Sequence, residues 1–192
     1  MRKKLATRRA LHDAALRLVL ERGIENVTVE EISAAANVSA RTFFNYFPSK
    51  EQAVVGDVLT VDAERTAAVL KSADTVLDGL REVALAVASD ITPEREQVLM
   101  RWRVMERHPA LFPYMHSRFL EFEQVLAAAL AKRTGGQPDD AYPQLGAALA
   151  GTALKVSVRR WTRGHGGDPL EHYVNEVFRL LGSALPEAGQ RA

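Results

Sequence analysis

Arg41 and Asn45 are the two side chains in this sequence best suited to recognising the edges of nucleic-acid bases. In the major groove of DNA an arginine can make paired hydrogen bonds to guanine, and an asparagine can do the same to adenine. The two residues are four apart, so on a helix they share one face, and Phe43 and Phe47 would be buried on the other. The alternative is that Arg41 and Asn45 are simply solvated residues of a surface helix.

The neighbours of this face also suit DNA contacts. Thr42 and Phe44 flank it, while Tyr46 and Lys50 lie towards its ends, where hydroxyl and ammonium donors reach phosphates. Phe44 has no polar group, so it would either touch a thymine methyl or pack on the sugar backbone, and the sequence leaves both open.

The flanking residues predict how such a helix is held. Thr28 and Glu31 have the spacing of a capping box, so a helix begins near Thr28. Asn37 tolerates a left-handed turn, Ser39 can cap the next helix, and Pro48 ends it. Two capped helices around a short turn predict a helix-turn-helix, and hence double-stranded DNA as a partner.

Residues 1–50 resemble the DNA-binding domain of the TetR family of transcriptional regulators. The shared pattern is a threonine-capped helix, a V-S-x-x-T turn and an aromatic-rich recognition helix. It is carried by Gly23, Thr28, Ile32, Ala35, Val38, Ser39, Thr42, Phe47, Pro48 and Lys50. The R-T-F-F-x-Y-F sequence resembles a branch common among actinobacterial regulators, some of which respond to fatty acyl thioesters.

The resemblance implies a role for individual residues. It assigns phosphate contacts to Thr28, Thr42, Tyr46 and Lys50, and base contacts to Ala40, Arg41 and Thr42. The family usually has a tyrosine where this chain has Phe44, so a hydrogen bond from that hydroxyl to a phosphate is lost. The complete predicted DNA-binding set is Thr28, Ser39, Ala40, Arg41, Thr42, Phe44, Asn45, Tyr46 and Lys50.

Composition and periodicity predict an all-α fold of about nine helices. The chain has 192 residues, of which 47% are hydrophobic, and every convincing apolar period is helical. We expect a three-helix DNA-binding domain at residues 1–50 and a ligand-sensing and dimerisation domain at 51–192, with a helix continuing from Lys50 to about Lys71.

Other features exclude whole classes of protein. There is no cysteine, so disulfides and thiolate metal sites are excluded. The longest uncharged stretch, residues 141–154, is shorter than the roughly 20 residues that span a bilayer. No apolar core of a secretory signal follows the N-terminus, so we expect a cytoplasmic protein. We also expect no membrane partner, no metal and no cofactor.

Charge is concentrated at the N-terminal end. The first fifty residues hold nine Lys or Arg against five Asp or Glu, although the whole chain has a net charge of only +1. Arg2, Lys3, Lys4, Arg8 and Arg9 cluster around the start of the predicted first helix, at about residues 5–22. They would form either a flexible arm that lies on phosphates or a solubilising tail.

Two C-terminal segments predict a dimer interface. Small residues follow one another at helical spacing near residue 150, and an apolar stripe recurs at three and four residues beyond Leu170. Either face would also serve as intramolecular core, and the resemblance to a family that dimerises through its last two long helices favours the interface. The predicted residues are Ala147, Gly151, Leu154, Tyr173, Val174, Val177, Phe178 and Leu181.

A sensor for a small, largely apolar effector is expected between these regions. Aromatic and thioether side chains gather there, although ordinary core packing would explain each of them. The predicted ligand-binding residues are Trp102, Arg103, Met105, Phe112, Met115, Phe119 and Trp161, with Arg103 as the polar anchor.

The sequence therefore predicts a ligand-responsive regulator, most often a repressor in this family, that binds a palindromic operator as a homodimer. One alternative is an architectural DNA-binding protein without ligand control. A helical enzyme using His108 and His116 is a poor alternative, because Pro109 and Pro113 interrupt the helix between them and no catalytic signature is present.

Overall fold

The computed structural model describes residues 2–57, 59–164 and 167–184. Within these ranges it has ten α-helices, three short 3-10 helices and no strand, which confirms the all-α prediction. The helices are α1 (Arg2–Arg22), α2 (Val29–Ala35), α3 (Ala40–Phe44), α4 (Lys50–Val55), α5 (Ala63–Ser72), α6 (Val76–Ile91), α7 (Arg95–Arg107), α8 (Phe112–Thr134), α9 (Ala141–Arg163) and α10 (Leu170–Ala184). None of the described helices is long and apolar enough to cross a membrane.

The chain forms two compact units, each discontinuous in sequence. The head unit contains Met1–Val58 and Glu96–Arg118, and the body unit contains Leu59–Arg95 and Phe119–Ala192. The head unit therefore includes most of α7 and the start of α8 in addition to the first four helices. The division predicted at residue 50 remains a prediction about domains.

The core of the head unit explains why α1 has the apolar pattern seen in the sequence. Leu11, Ala15 and Val19 lie on one face of α1 and are fully buried. They belong to one hydrophobic cluster with Phe43 and Phe47, and α1 packs against both α2 and α4. Burial of this shared apolar surface stabilises α2 and α4, which are individually too short to persist in water.

The body unit is built around contacts of α6 with α5, α9 and α10. Side chains bind the backbone groups at the ends of its helices. Arg133 donates to the carbonyl of Leu70, to that of Ala73 at 2.8 Å and to that of Asp74 at 3.2 Å, near the C-terminus of α5. At the start of α10, the backbone N–H of Leu170 donates to the hydroxyl of Thr92 at 3.3 Å. These contacts satisfy backbone groups that helix ends leave without an intrahelical partner.

The prediction of a single helix from Lys50 to about Lys71 is wrong, because two helices, α4 and α5, lie in this region. This division explains why the described residues form ten α-helices and not about nine. The helix α4 ends at Val55 because Gly56 has a left-handed φ of 70°. A Cβ at Gly56 would lie 2.6 Å from the ring of His12, so the position accepts only glycine. Asp62 then caps α5 by accepting a hydrogen bond from the N–H of Arg65.

His12 links three helices of the head unit through a largely buried imidazole. Its Nδ1 lies 2.7 Å from the carbonyl of Ala53 in α4, so Nδ1 carries the proton and donates. Its Nε2 then accepts from Nη2 of Arg101 in α7 at 2.9 Å. Burial, and next the positive charge of Arg101, lower the pKa of His12 to about 4, against the opposing hydrogen bond to Ala53. The imidazole is therefore neutral near pH 7.

This lowered pKa predicts that stability falls in acid. Between pH 6.5 and about 4 the unfolded chain binds a proton at His12 that the folded chain does not, so the free energy of unfolding falls as the pH falls. The contribution of His12 across this window is about 3 kcal/mol. Urea unfolding followed by circular dichroism from pH 7 to pH 4 measures it.

The matched variant is His12→Gln, whose amide retains one donor and one acceptor but does not titrate. We expect the difference in unfolding free energy between the native protein and His12→Gln to shrink as the pH falls. Parallel pH profiles for the two proteins would contradict the assignment.

Candidate nucleic-acid interface

The first helix of the predicted helix-turn-helix begins with the capping box expected from the sequence. The N–H of Glu31 donates to the hydroxyl of Thr28 at 3.2 Å, and the N–H of Thr28 donates to the carboxylate of Glu31 at 2.9 Å. Arg22 also donates to that carboxylate at 2.8 Å. The backbone hydrogen bond from Thr28, and next the one from Arg22, lower the pKa of Glu31. The hydroxyl of Thr28 thus already takes part in this box.

The turn and the second cap also have the predicted geometry. Asn37 adopts a left-handed φ of 56°, as the sequence predicted for the turn at this residue. Ser39 begins α3 by accepting from the N–H of Thr42 at 3.1 Å, and the two hydroxyls lie 2.9 Å apart. The helices α2 and α3 are therefore joined by a tight turn and are each closed by a side-chain cap.

The rotation of α3 agrees with the phasing of its phenylalanines. Phe43 and Phe47 are 0% and 1% exposed, whereas Arg41 and Asn45 lie on the exposed side. Phe44 is 57% exposed, although its ring stands edge-on to that of Phe43 at a centroid distance of 5.4 Å. The face that points away from the head core thus combines guanidinium, amide and aromatic groups.

The remaining predicted DNA contacts are placed less uniformly. Ala40, Thr42 and Tyr46 are half-buried, and Ser39 and Thr28 are exposed. All nine predicted residues lie in the head unit: Thr28 caps the start of α2, and the others lie on α3, on α4 or in the segments that flank α3.

Lys50 has a structural role that the sequence did not predict. Its ammonium donates to the carbonyl of Ile24 at 2.6 Å and to that of Val27 at 2.9 Å. It therefore joins the start of α4 to the segment that precedes α2. Only one of its three ammonium hydrogens is left for a phosphate, so a phosphate contact by Lys50 stays a prediction that must coexist with this role.

The basic run at the N-terminus is not the flexible arm that was one expectation, because α1 already begins at Arg2. Arg8 is held within the head unit: it donates to the carbonyl of Tyr46 at 2.6 Å and forms a bidentate ion pair with Asp57. Its guanidinium also lies 4.3 Å from the centre of the Phe47 ring. Arg8 thus positions the end of the recognition helix.

Sequence reasoning missed this role of Arg8. Its partners are separated from it by 38 and 49 positions along the chain. The i, i+3 and i, i+4 spacings that reveal caps and helix pairs carry no information about contacts at that range.

The predicted ligand-binding residues fall in both units. Trp102, Arg103, Met105, Phe112 and Met115 belong to the head unit, and Phe119 and Trp161 belong to the body unit. Met105 and Trp161 are each 2% exposed, so packing accounts for them, as the alternative interpretation held. Arg103 and Phe112 are exposed, and the others are half-buried. Their contact with a ligand remains a prediction.

A cleft of about 370 Å³ lies within the head unit. Its lining combines small, charged and amide side chains with one methionine, and it includes none of the predicted ligand-binding residues. The lining residues are Ala10, Asp13, Arg17, Ala35, Glu96, Gln97 and Met100.

Most of the predicted dimer residues are buried within their own chain. Ala147 and Leu154 of α9 are 1% and 0% exposed, and Val174 and Phe178 of α10 are 0% and 2% exposed. Gly151 and Val177 are also buried, whereas Tyr173 and Leu181 are half-buried. Burial within one chain is what the alternative interpretation of their periodicity held, and a contact of these residues with a second copy stays a prediction.

Two family models match this chain. The model described as bacterial regulatory proteins, tetR family, matches residues 11–54, the region of the capped helices and the recognition helix. The model described as the MftR C-terminal domain matches residues 74–186, more than half of the chain.

Individual relatives agree with these matches. MftR of Mycobacterium tuberculosis, named as a mycofactocin biosynthesis transcriptional regulator, is 28% identical and covers 98% of this chain and 96% of its own. The HTH-type transcriptional regulator TcmR of Streptomyces glaucescens is 32% identical over 83% of this chain and 75% of its own. The FadR repressor of Thermus thermophilus, solved with lauroyl-CoA, has a TM-score of 0.56 and 25% identity, covering 96% of this chain and 99% of that one.

The geometry of the head unit and these matches lead to the same family. A capped helix-turn-helix occupies the region matched by the family's N-terminal model, and the C-terminal model covers the greater part of the rest. The chain belongs to the TetR family of bacterial transcriptional regulators, which are DNA-binding proteins and not enzymes.

Proposed function

We propose that this protein is a cytoplasmic repressor that binds a palindromic operator as a homodimer and is released from it by a small, largely apolar molecule. The observation that carries the proposal is the recognition helix α3. Phe43 in this helix and Phe47 just beyond its end are buried, and Arg41 and Asn45 are consequently exposed on the other side. A helix so held can enter the major groove with base-reading side chains in front.

Base reading is assigned first to Arg41. It lies in the first turn of α3, and the N-terminal residues of a recognition helix are the ones that contact base edges. Its exposed guanidinium has the fork geometry that pairs with the two acceptors of guanine. Asn45 follows one turn later and is the candidate for adenine. Ser39, Thr42 and Thr28 are proposed as hydroxyl contacts to phosphates.

The dimer is proposed to form through side chains adjacent to those first predicted. Leu145 of α9 is 61% exposed and Val156 is 37% exposed, and Ala148 and Thr152 lie between them on the same exposed side of the helix. Leu180 of α10 is 50% exposed. An apolar stripe that its own chain leaves uncovered is suited to a symmetry-related copy, which would produce a four-helix interface.

An ion pair joins the two helices that carry this stripe. Arg160 of α9 donates to the carboxylate of Glu176 in α10 at 2.9 Å. Together with the buried residues between the helices, it makes the pair a preformed surface, so dimerisation need not reorganise either helix.

The effector is proposed to be a fatty acyl thioester or a molecule of similar apolar length. The support is the structural likeness over nearly the whole chain to the Thermus thermophilus repressor solved with lauroyl-CoA. Genes that flank the operator will show which chemistry is regulated, and lauroyl-CoA is the first compound to titrate against the operator complex.

The test of base reading is Arg41→Ala. Sequencing of genome fragments that bind the purified protein first defines the operator; recovery of random DNA alone would contradict the proposal. On that operator, Arg41→Ala should lose about 1 to 3 kcal/mol of binding free energy and relax discrimination at one position in each half-site. Binding to random DNA should weaken far less, as measured by fluorescence anisotropy.

The control is Arg163→Ala, which removes the same charge from an exposed position on α9. It should leave the preference for the operator over random DNA unchanged. Equal losses on both DNAs for Arg41→Ala would show that Arg41 contacts phosphate only.

Lys50→Met tests the two roles of Lys50 separately. The two backbone carbonyls that accept from its ammonium lose a charged donor, so we expect the free energy of unfolding to fall by about 2 kcal/mol. Lys4→Met, at an exposed position of α1, is the control and should leave stability unchanged. Chemical denaturation measures both, and an undiminished stability of Lys50→Met would contradict the structural role.

Salt dependence addresses the other role of Lys50. If its ammonium also neutralises a phosphate, Lys50→Met should reduce the slope of log affinity against log salt by about 0.9 for each phosphate no longer neutralised. An unchanged slope in Lys50→Met would assign this residue to structure alone.

The dimer surface is tested by Val156→Glu. A carboxylate buried without a partner should weaken dimerisation by about 100-fold or more. Leu120→Glu, at an exposed leucine of α8 that is 43% exposed, is the matched control and should remain dimeric. Sedimentation velocity measures both, and a fully dimeric Val156→Glu would exclude this surface.

A further inference from the structure

Phe44 is the most exposed aromatic side chain of the recognition helix α3, and its contact with Phe43 leaves more than half of its surface in solvent. It is 57% exposed, whereas its neighbour Phe43 and Phe47, which follows the helix, are 0% and 1% exposed. Leaving most of a phenyl ring in water is unfavourable by about 25 cal/mol for each Å² of apolar surface. An apolar group of the DNA that covered the Phe44 ring in the complex would recover that free energy.

The ring of Phe44 is held in place before any partner arrives. It stands at 83° to the ring of the fully buried Phe43, with the centroids 5.4 Å apart. This edge-to-face contact is a favoured arrangement of aromatic pairs. Phe44 therefore presents a preorganised apolar surface, unlike a long flexible side chain that would lose conformational entropy on binding.

Helical spacing puts Phe44 on an apolar edge beside the polar reading edge. Ala40 and Phe44 are four residues apart and form one row, while Arg41 and Asn45 form the adjoining row. The small side chain of Ala40 adds a methyl group to the Phe44 row without shielding it. One row thus suits the hydrogen-bonding edges of purines, whereas the side chains of the other row have no group that can hydrogen-bond to a base or a phosphate.

Among the groups in the major groove, only the C5-methyl of thymine is apolar. We propose that Phe44 is a specificity-determining residue that contacts a thymine methyl next to the base pair read by Arg41. The inference rests on the proposed function, because it requires α3 to lie in the major groove. It adds to that function a preference for thymine at one position of each half-site, which Phe44 recognises by apolar contact and not by a hydrogen bond.

Removal of single methyl groups tests this contact. In the selected operator each thymine is replaced in turn by deoxyuridine, which deletes the methyl and keeps the base pair. For the native protein we expect one position in each half-site to weaken binding by about fourfold, the effect of uncovering one methyl-sized group. In Phe44→Ala the same replacement should have no effect, although the overall affinity is lower.

Two further variants complete the design. Phe44→Leu keeps an apolar side chain and should retain sensitivity to the methyl group. Leu120→Ala removes another exposed apolar side chain, 43% exposed on α8, and should behave as the native protein does.

The outcomes separate this inference from the proposed function. A defined operator in which every thymine tolerates loss of its methyl would overturn the inference alone. The inference alone would also be overturned if one replacement of thymine by deoxyuridine weakened binding equally in the native protein and in Phe44→Ala. Another residue would then contact that methyl group. Recovery of random DNA only would overturn the proposed function and this inference with it.

Discussion

The exposed face of α3 that presents Arg41 and Asn45 depends on one constraint, the burial of Phe43 and Phe47. The helix α3 spans only Ala40–Phe44, and a helix of this length is unstable in water by itself. Each fully buried phenyl ring contributes about 2 kcal/mol, and the Ser39 cap about 1 kcal/mol more. The same burial fixes the rotation of the helix. With both rings directed into the core, Arg41 and Asn45 have no orientation available except outward.

Short helices create a second requirement that the head unit meets with side chains. In α2, α3 and α4, which have seven, five and six residues, most backbone carbonyls lie near a helix end. Donors from distant parts of the chain bind carbonyls in these helices or in the segments that flank them. Lys50 donates to Ile24 and Val27, Arg8 donates to Tyr46, and His12 reinforces Ala53. These side chains stabilise short helices, whereas a longer helix satisfies most of its backbone groups by its own hydrogen bonds.

This division between local and distant contacts explains what the sequence could predict. The capping box at Thr28 and the left-handed turn at Asn37 are each encoded within a few residues. The break at Gly56 was missed, because it depends on the His12 ring, which is distant in the chain and occupies the place of a Cβ. Periodicity identified Leu154 as part of a buried stripe, and it is 0% exposed. It did not distinguish a face covered by its own chain from one covered by a partner, because both exclude water and select the same side chains.

Internal use of basic residues also shapes the way this head would bind DNA. The first fifty residues have nine Lys or Arg, but Arg8, Arg22 and Lys50 already bind acceptors within the head unit. Affinity that is independent of sequence grows with the number of phosphates that cations neutralise. Cations engaged in the fold contribute less to it, so a larger share of operator binding must come from contacts with bases. In the proposed complex, the contrast between operator and random DNA would therefore rest on few side chains, foremost Arg41, and on how rigidly the buried phenylalanines hold them.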